Sequence, residues 1–294
     1  MKLLRQAKTG LLAAAFVVVA ASLSGPAAAA ADGDSSLRAV EAAPLSGEEK
    51  QVLGGQVRAA LQAGVPPEDV DIIVTRSMGR GSSAAALGRF LETSADVARQ
   101  GLPARPVLDR IEQGLSKGVP PERIDGAAKS LAGGLAQAKP LVDGLLKNGM
   151  SAGTGGAKDA ALESVARAHE RSISTAAMQG LGEAVRAEGQ SLDQFERAVR
   201  TLSFLAGNGV PADRAERMVR ECIDRNLSER GYARLERTVN DMVRQGRSMD
   251  DIVREADREV REGRGAGEGR DSGGKQDRGA GGGRDAGGRG GRGR

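Results

Sequence analysis

The sequence predicts an all-α chain of imperfect helix-turn-helix repeats, forming an elongated, α-solenoid-like helical array with a disordered C-terminal tail. Three observations predict it. A short frame of Gly, any residue, Pro or Ser, any residue and usually an acid recurs along the chain. The segments between its copies carry apolar residues at helical spacing. No segment alternates apolar and polar residues well enough to pair as strands.

The N-terminus reads as a secretory signal peptide over residues 1–31. Lys2, Arg5 and Lys8 precede an apolar run from Leu11 to Leu23, Pro26 breaks it, and Ala27 to Ala31 offers small-residue cleavage sites just before Asp32. The apolar run is short for a bilayer span, and the rival reading is an uncleaved anchor. Residues 32–45 are expected to be a flexible mature N-terminus.

The frame begins with Gly64-Val-Pro-Pro-Glu68 and returns at Gly118-Val-Pro-Pro-Glu122 and Gly209-Val-Pro-Ala-Asp213. Gly189-Gln-Ser-Leu-Asp193 and Gly246-Arg-Ser-Met-Asp250 fit it, and Gly101-Leu-Pro-Ala-Arg105 fits except at its last position. Its physics is a corner between helices. Gly ends one helix in the left-handed conformation, and Pro or Ser caps the next. Pro67 and Pro121 fall at the first helical position, where a missing N–H is harmless. The acid follows in the first turn, where the helix dipole favours negative charge. Ser191 with Gln194 and Ser248 with Asp251 read as capping boxes.

Between corners lie apolar stripes such as Leu192, Phe195, Val199 and Leu202, then Ala215, Met218, Val219 and Cys222, then Tyr232, Leu235, Val239 and Met242. Gly64 to Gly101 and Gly209 to Gly246 are each 37 residues, the length of a two-helix repeat. Gly81 divides the first interval into 17 and 20, and Gly231 divides the second into 22 and 15. The middle of the chain loses the period. Residues 46–148 therefore read as a first helical half, 149–156 as a Gly-rich linker, and 157–262 as a second half opening with one long helix from Ala157 to Glu188.

Residues 263–294 hold 15 Gly and seven Arg with no Val, Ile, Leu or aromatic, so they bury too little to offset chain entropy and are expected to stay disordered. In composition the tail resembles the Gly/Arg-rich segments of RNA-associated proteins, without their interleaved Phe or Tyr. Of the chain's net charge of +4, the leader carries +3 and the tail +4, which leaves −3 on residues 32–262. A basic body gripping a phosphate backbone is thus not supported, and any polyanion contact falls to Arg264, Arg270, Arg278, Arg284, Arg289, Arg292 and Arg294.

One Cys and one His exclude an internal disulfide and a Cys/His zinc site. Val70 to Thr75 followed by Gly79-Arg-Gly-Ser-Ser-Ala84 matches the dinucleotide fingerprint poorly, because three residues separate the apolar run from the glycines. Gly153-Thr-Gly-Gly-Ala-Lys158 lacks the hydroxyl residue that a phosphate loop needs after its lysine. His169 with Ser164 or Ser172 is the one nucleophile–base combination in reach, and no G-x-S-x-G elbow accompanies it. Cys222 reads as a core residue, and Asp32, Asp34, Asp250 and Asp251 lack calcium-loop spacing.

No enzymatic activity, cofactor or metal is expected. The expected function is an exported scaffold or protein-interaction module of a bacterial envelope, periplasmic or secreted, whose partners are proteins and in which a homo-oligomer is compatible with the stripes. A polyanion-binding protein acting through the tail on polysaccharide, lipid headgroups or nucleic acid is the first alternative. An exported hydrolase with an unrecognised site is the second.

Overall fold

The structure, a computed structural model, describes residues 27–262. The signal-peptide reading up to residue 26 and the tail from residue 263 lie outside them. Among the described residues the chain forms twelve α-helices: α1 Ala27–Ala42, α2 Gly47–Gln62, α3 Pro67–Gly79, α4 Ala84–Arg99, α5 Arg105–Ser116, α6 Pro121–Lys147, α7 Ala157–Glu170, α8 Thr175–Ala187, α9 Leu192–Gly207, α10 Ala212–Asp224, α11 Glu229–Arg244 and α12 Met249–Glu262.

They fall into two compact units. One holds the described residues up to 99 together with 108–126; the other holds 100–107 together with 127–262. In the first, α1 lies on α3 and α2 on α4. In the second, α7 lies on α9, α8 on α10, α9 on α11 and α10 on α12. Each of these helices packs on the one two places along, which is how two-helix repeats stack. The predicted all-α repeat architecture is the one observed.

The corners explain why the stack is regular. Gly64 has φ +92°, and its amide donates to Leu61 O at 3.0 Å while the amide of Val65 returns to Ala60 O at 3.1 Å. This pair of bonds satisfies carbonyls that the helix end leaves open. The second bond recurs at Ile173, Gln190, Val210, Leu227 and Arg247. Val65, Val210 and Leu227 are buried, so the residue after the corner also anchors it.

Several sequence expectations are corrected. The helix expected from Ala157 to Glu188 is broken: Ser172 adopts φ 60°, Ile173 is buried, and Ser174 Oγ accepts the Ala177 amide at 3.2 Å as the cap of α8. This is the same corner without glycine. The second 37-residue interval is divided at Asn226, φ 49°, rather than at Gly231, which lies in the first turn of α11. The corners at Gly64, Gly81, Gly101 and Gly118, and those at Ser172, Gly189, Gly209, Asn226 and Gly246, then follow alternating steps of 17 and 20 residues. Residues 32–45, expected as a flexible mature N-terminus, are mostly helical. Most of them belong to α1, where Val40 is buried and the buried Ser36 donates to Asp71 Oδ1 at 3.3 Å. The division between units falls within residues 99–127, whereas 149–156 lies inside the second unit. There Thr154 gives its amide and hydroxyl to Asp193 at 2.9 and 2.6 Å, and Leu192 N donates to Ser151 O at 2.9 Å.

In the middle of the chain the step of 20 residues from Gly118 falls on Ala138. Here α6 runs straight through, with Ala138 buried and Pro140 retained inside the helix. Pro140 stands two residues past that missing corner, as Pro66, Pro103 and Pro120 stand two past real ones. Without glycine, and with Leu131, Leu135, Val142 and Leu145 continuing one buried stripe, the helix has no reason to turn.

A second repeated device uses arginine. Arg80, Arg171 and Arg225 each immediately precede a left-handed residue. Arg80 donates to Ser116 O at 3.0 Å and Arg225 to Arg261 O at 3.2 Å, while Arg171 reaches Ser203 O. Each carbonyl lies near the end of the helix two places along, where a cation also meets the negative pole of the helix dipole.

Candidate functional site

The arginines singled out in the tail, Arg264 through Arg294, lie outside the described residues. The other singled-out residues have definite surroundings. Val70, Ile73 and Val74 are buried on one side of α3, a helix rather than a strand, and Gly81 forms the following corner. Ser83 Oγ accepts the Ala86 amide at 3.2 Å and so caps α4. Lys158 pairs with Asp143 Oδ1 at 2.7 Å, and Lys139 holds the other oxygen at 2.7 Å. The hydrogen bond from Lys139, followed by that from Lys158, holds the Asp143 carboxyl below its ordinary value. Lys158 thus serves an ion pair between α6 and α7.

His169 is half-buried on α7. Ser164 gives its hydroxyl to Glu196 Oε1 at 3.0 Å rather than to His169, and Ser172 is the exposed left-handed residue of the corner. The nucleophile–base pairing weighed from the sequence is therefore not assembled. Cys222 is buried on the core side of α10, and desolvation, reinforced by the neighbouring charge of Glu221, pushes its thiol up to about 12. A thiol held protonated is a poor nucleophile. Tyr232 lies close by. Its hydroxyl is pushed up, first by burial and then by the field of Cys222, while the Arg197 guanidinium sits 5.9 Å from its ring centroid. Asp251 accepts the Ser248 hydroxyl at 2.7 Å and meets Arg254, contacts that lower its carboxyl in that order. Asp32 and Asp34 lie within α1. Among the described residues there is no group of three or more His, Cys, Asp and Glu arranged to hold a metal, and no helix long and apolar enough to cross a membrane.

Two grooves remain as candidate binding surfaces. The first, about 400 Å³, lies between the N-terminal halves of α2 and α4. Leu53, Ala84 and Ala85 line it, Glu48, Glu49, Gln56 and Arg89 edge it, and Val52 stands in it 56% exposed. Ser46 caps α2 by accepting the Glu49 amide at 3.2 Å, and Glu49 returns a carboxylate oxygen to the Ser46 amide at 2.9 Å. That bond holds the Glu49 carboxyl below its ordinary value, and with Glu48 the acids outnumber Arg89 on the rim. The floor can take one aliphatic side chain beside a cationic neighbour. Sequence reading missed this place. Its signal was available: Val52 is apolar but falls off the buried stripe of Leu53, Val57 and Ala60.

The second groove, about 640 Å³, lies between α11 and α12. Thr238, Asp241, Met242, Gln245, Arg247, Asp251, Arg254, Glu255 and Arg258 line it. Its surface is polar and of both signs, with Arg254 on Asp251 and Arg258 on Glu255. Comparison with protein-family models, curated proteins and solved structures found no match to this chain.

Proposed function

We propose that the chain is an exported, non-enzymatic scaffold of a bacterial envelope that engages a protein partner through the groove between α2 and α4. The exposure of Val52 carries this reading. Singly exposed aliphatics are common, but Val52 stands with Leu53, Ala84 and Ala85 in one concave apolar patch edged by Glu48 and Glu49, which has the character of a recognition notch. Stacked helices support it by offering a preformed surface whose shape a partner meets without ordering it. Export rests on the leader sequence. Cleavage before Asp32 is compatible with the fold, because the anchoring residues of α1, Ser36 and Val40, lie beyond that point.

The test is a photo-crosslinking residue introduced at Val52 in the full-length chain, with Gln62 on the same helix as the control position. The expected result is an adduct of discrete mass from position 52 that is absent from position 62. In a chain crosslinked from the neighbouring position 55, V52E should remove it. Identical adducts from 52 and 62 would refute the assignment. Recovery of N-terminally sequenced protein starting at Asp32 outside the cytoplasm tests export.

The opposite charges of tail and body, +4 against −3, favour a second reading in which the tail contacts polyanions. Deleting residues 263–294 should then abolish salt-sensitive retention on heparin, and retention that survives the deletion would exclude it.

A further inference from the structure

The second groove acquires a meaning when the 37-residue register is applied to it. In the second unit three copies can be aligned without gaps, and they diverge at some of the residues that line this groove. The residue after the corner is Ile173, then Val210, then Arg247. Ile173 and Val210 are buried, Val210 at 3% exposure, whereas Arg247 is exposed. One turn and a half into the next helix the series is Leu181, Met218 and Glu255. The first two are 0% and 2% exposed, and Glu255 is half-buried with Arg258 against it. Late in the preceding helix the series is Arg167, Phe204 and Asp241: Phe204 is half-buried, and the two charged residues are exposed.

In the inner copies the following helices cover these positions. Thr201 donates to Glu236 Oε1 at 2.7 Å across α9 and α11, and the Met249 methyl stands 3.2 Å from where a Cβ on Gly209 would be. The groove is thus the seat that one more repeat would occupy, with charge at Arg247 and Glu255 where both inner copies have an aliphatic or thioether side chain, and at Asp241 where the adjoining copy has Phe204.

The first unit shows the mirror image. Glu49, Lys50 and Arg58 of α2 stand 37 residues before Ala86, Leu87 and Ala95 of α4. The three α4 residues are buried, while Glu49 and Arg58 are exposed.

We propose that α11–α12 is a terminating cap: Asp241, Arg247 and Glu255 close the stack against a further repeat, and so against a second copy of this chain docking by the same end. Docking there would strip water from Arg247, Asp241 and Glu255, of which Glu255 is paired with Arg258 on its own helix, and would offer them apolar surface in exchange. Restoring the inner-repeat residues removes that penalty and leaves an apolar surface that seeks cover.

Two experiments test this on the full-length chain. In the first, D241F, R247V and E255M are combined, and sedimentation velocity is compared with the parent over a hundredfold concentration range. The variant is expected to shift toward twice the parent's mass as concentration rises; a variant that tracks the parent throughout overturns the proposal. In the second, a duplicate of residues 226–262 is inserted after Glu262, once behind the native end and once behind the triple variant. The duplicate covers the restored residues, so this arm stands whether or not the bare triple variant folds. Behind the triple variant the insert should resist limited proteolysis as the inner helices do, and the helical ellipticity should rise in proportion to the added residues. Behind the native end it should be cleaved at least tenfold faster. Equal protection in both contexts, or in neither, overturns the proposal.

Discussion

Ser172 and Gly209 do the same job with different residues, which makes a direct test of the corner. Both sit at a left-handed position in the second unit, with φ 60° and +86°. The left-handed conformation disfavours a residue with a Cβ by about 1–2 kcal/mol. Glycine loosens the unfolded chain, which opposes this by about 0.4–1 kcal/mol. Ser172 is exposed, so removing its side chain strips no buried partner. Ser172→Gly should therefore stabilise the second unit by roughly 0.5–1 kcal/mol. Gly209→Ala runs the other way. It adds a Cβ in the same conformation, 3.2 Å from the flexible Met249 methyl, and should destabilise by a similar or somewhat larger amount. The assay is urea unfolding followed by far-ultraviolet circular dichroism, with the transition midpoint moving and its slope unchanged. A Ser172→Gly variant that is no more stable than the parent, or a neutral Gly209→Ala, would refute the idea that backbone conformation sets residue choice at these corners.

Two further predictions concern stability. Cys222 has its thiol raised from 9.0 to about 12, so between those values the folded chain holds a proton that the unfolded chain has released. Stability should accordingly fall as pH climbs from 9 toward 12. Cys222→Ala should flatten that decline without abolishing it, since Tyr232 is shifted in the same sense; a pH series of urea midpoints for the two proteins checks this. Pro140 lies exposed inside α6 and has no amide to offer the carbonyl of Ala136. Pro140→Ala should raise the urea midpoint, by about 1–3 kcal/mol in free energy, and a lowered midpoint would contradict the continuous-helix account.

The fold class was legible because corner chemistry is local. Gly64-Val-Pro-Pro and Gly209-Val-Pro-Ala announce a helix end and the next helix start within five residues, and the structure follows them. Ser172 and Asn226 escaped because the left-handed position was sought as glycine, although Asn tolerates it and Ser accepts it at some strain. Counting them restores the period that had seemed to fade. The course of α6 escaped for the opposite reason: Pro140 carries the mark of a corner, but a corner needs the residue two places earlier to turn. The helical character of residues 32–42 was hidden by a composition rich in small and polar residues, and the burial of Ser36 and Val40 as α1 packs on α3 is a tertiary effect. Of the candidate sites, Arg247 was quoted in its frame as one more corner residue. Its significance appears only beside Ile173 and Val210, because a polar residue is informative where its register partners are buried.

The stacking of each helix on the one two places along has a kinetic consequence. Every side-chain hydrogen bond and ion pair described above joins residues fewer than 40 apart, the widest being Thr154 to Asp193. Such a topology has low contact order, so no step of folding must wait for distant segments to find each other. Structure can nucleate in any pair of neighbouring repeats and spread along the chain, and a segment can be consolidated before the rest of the polypeptide has been made.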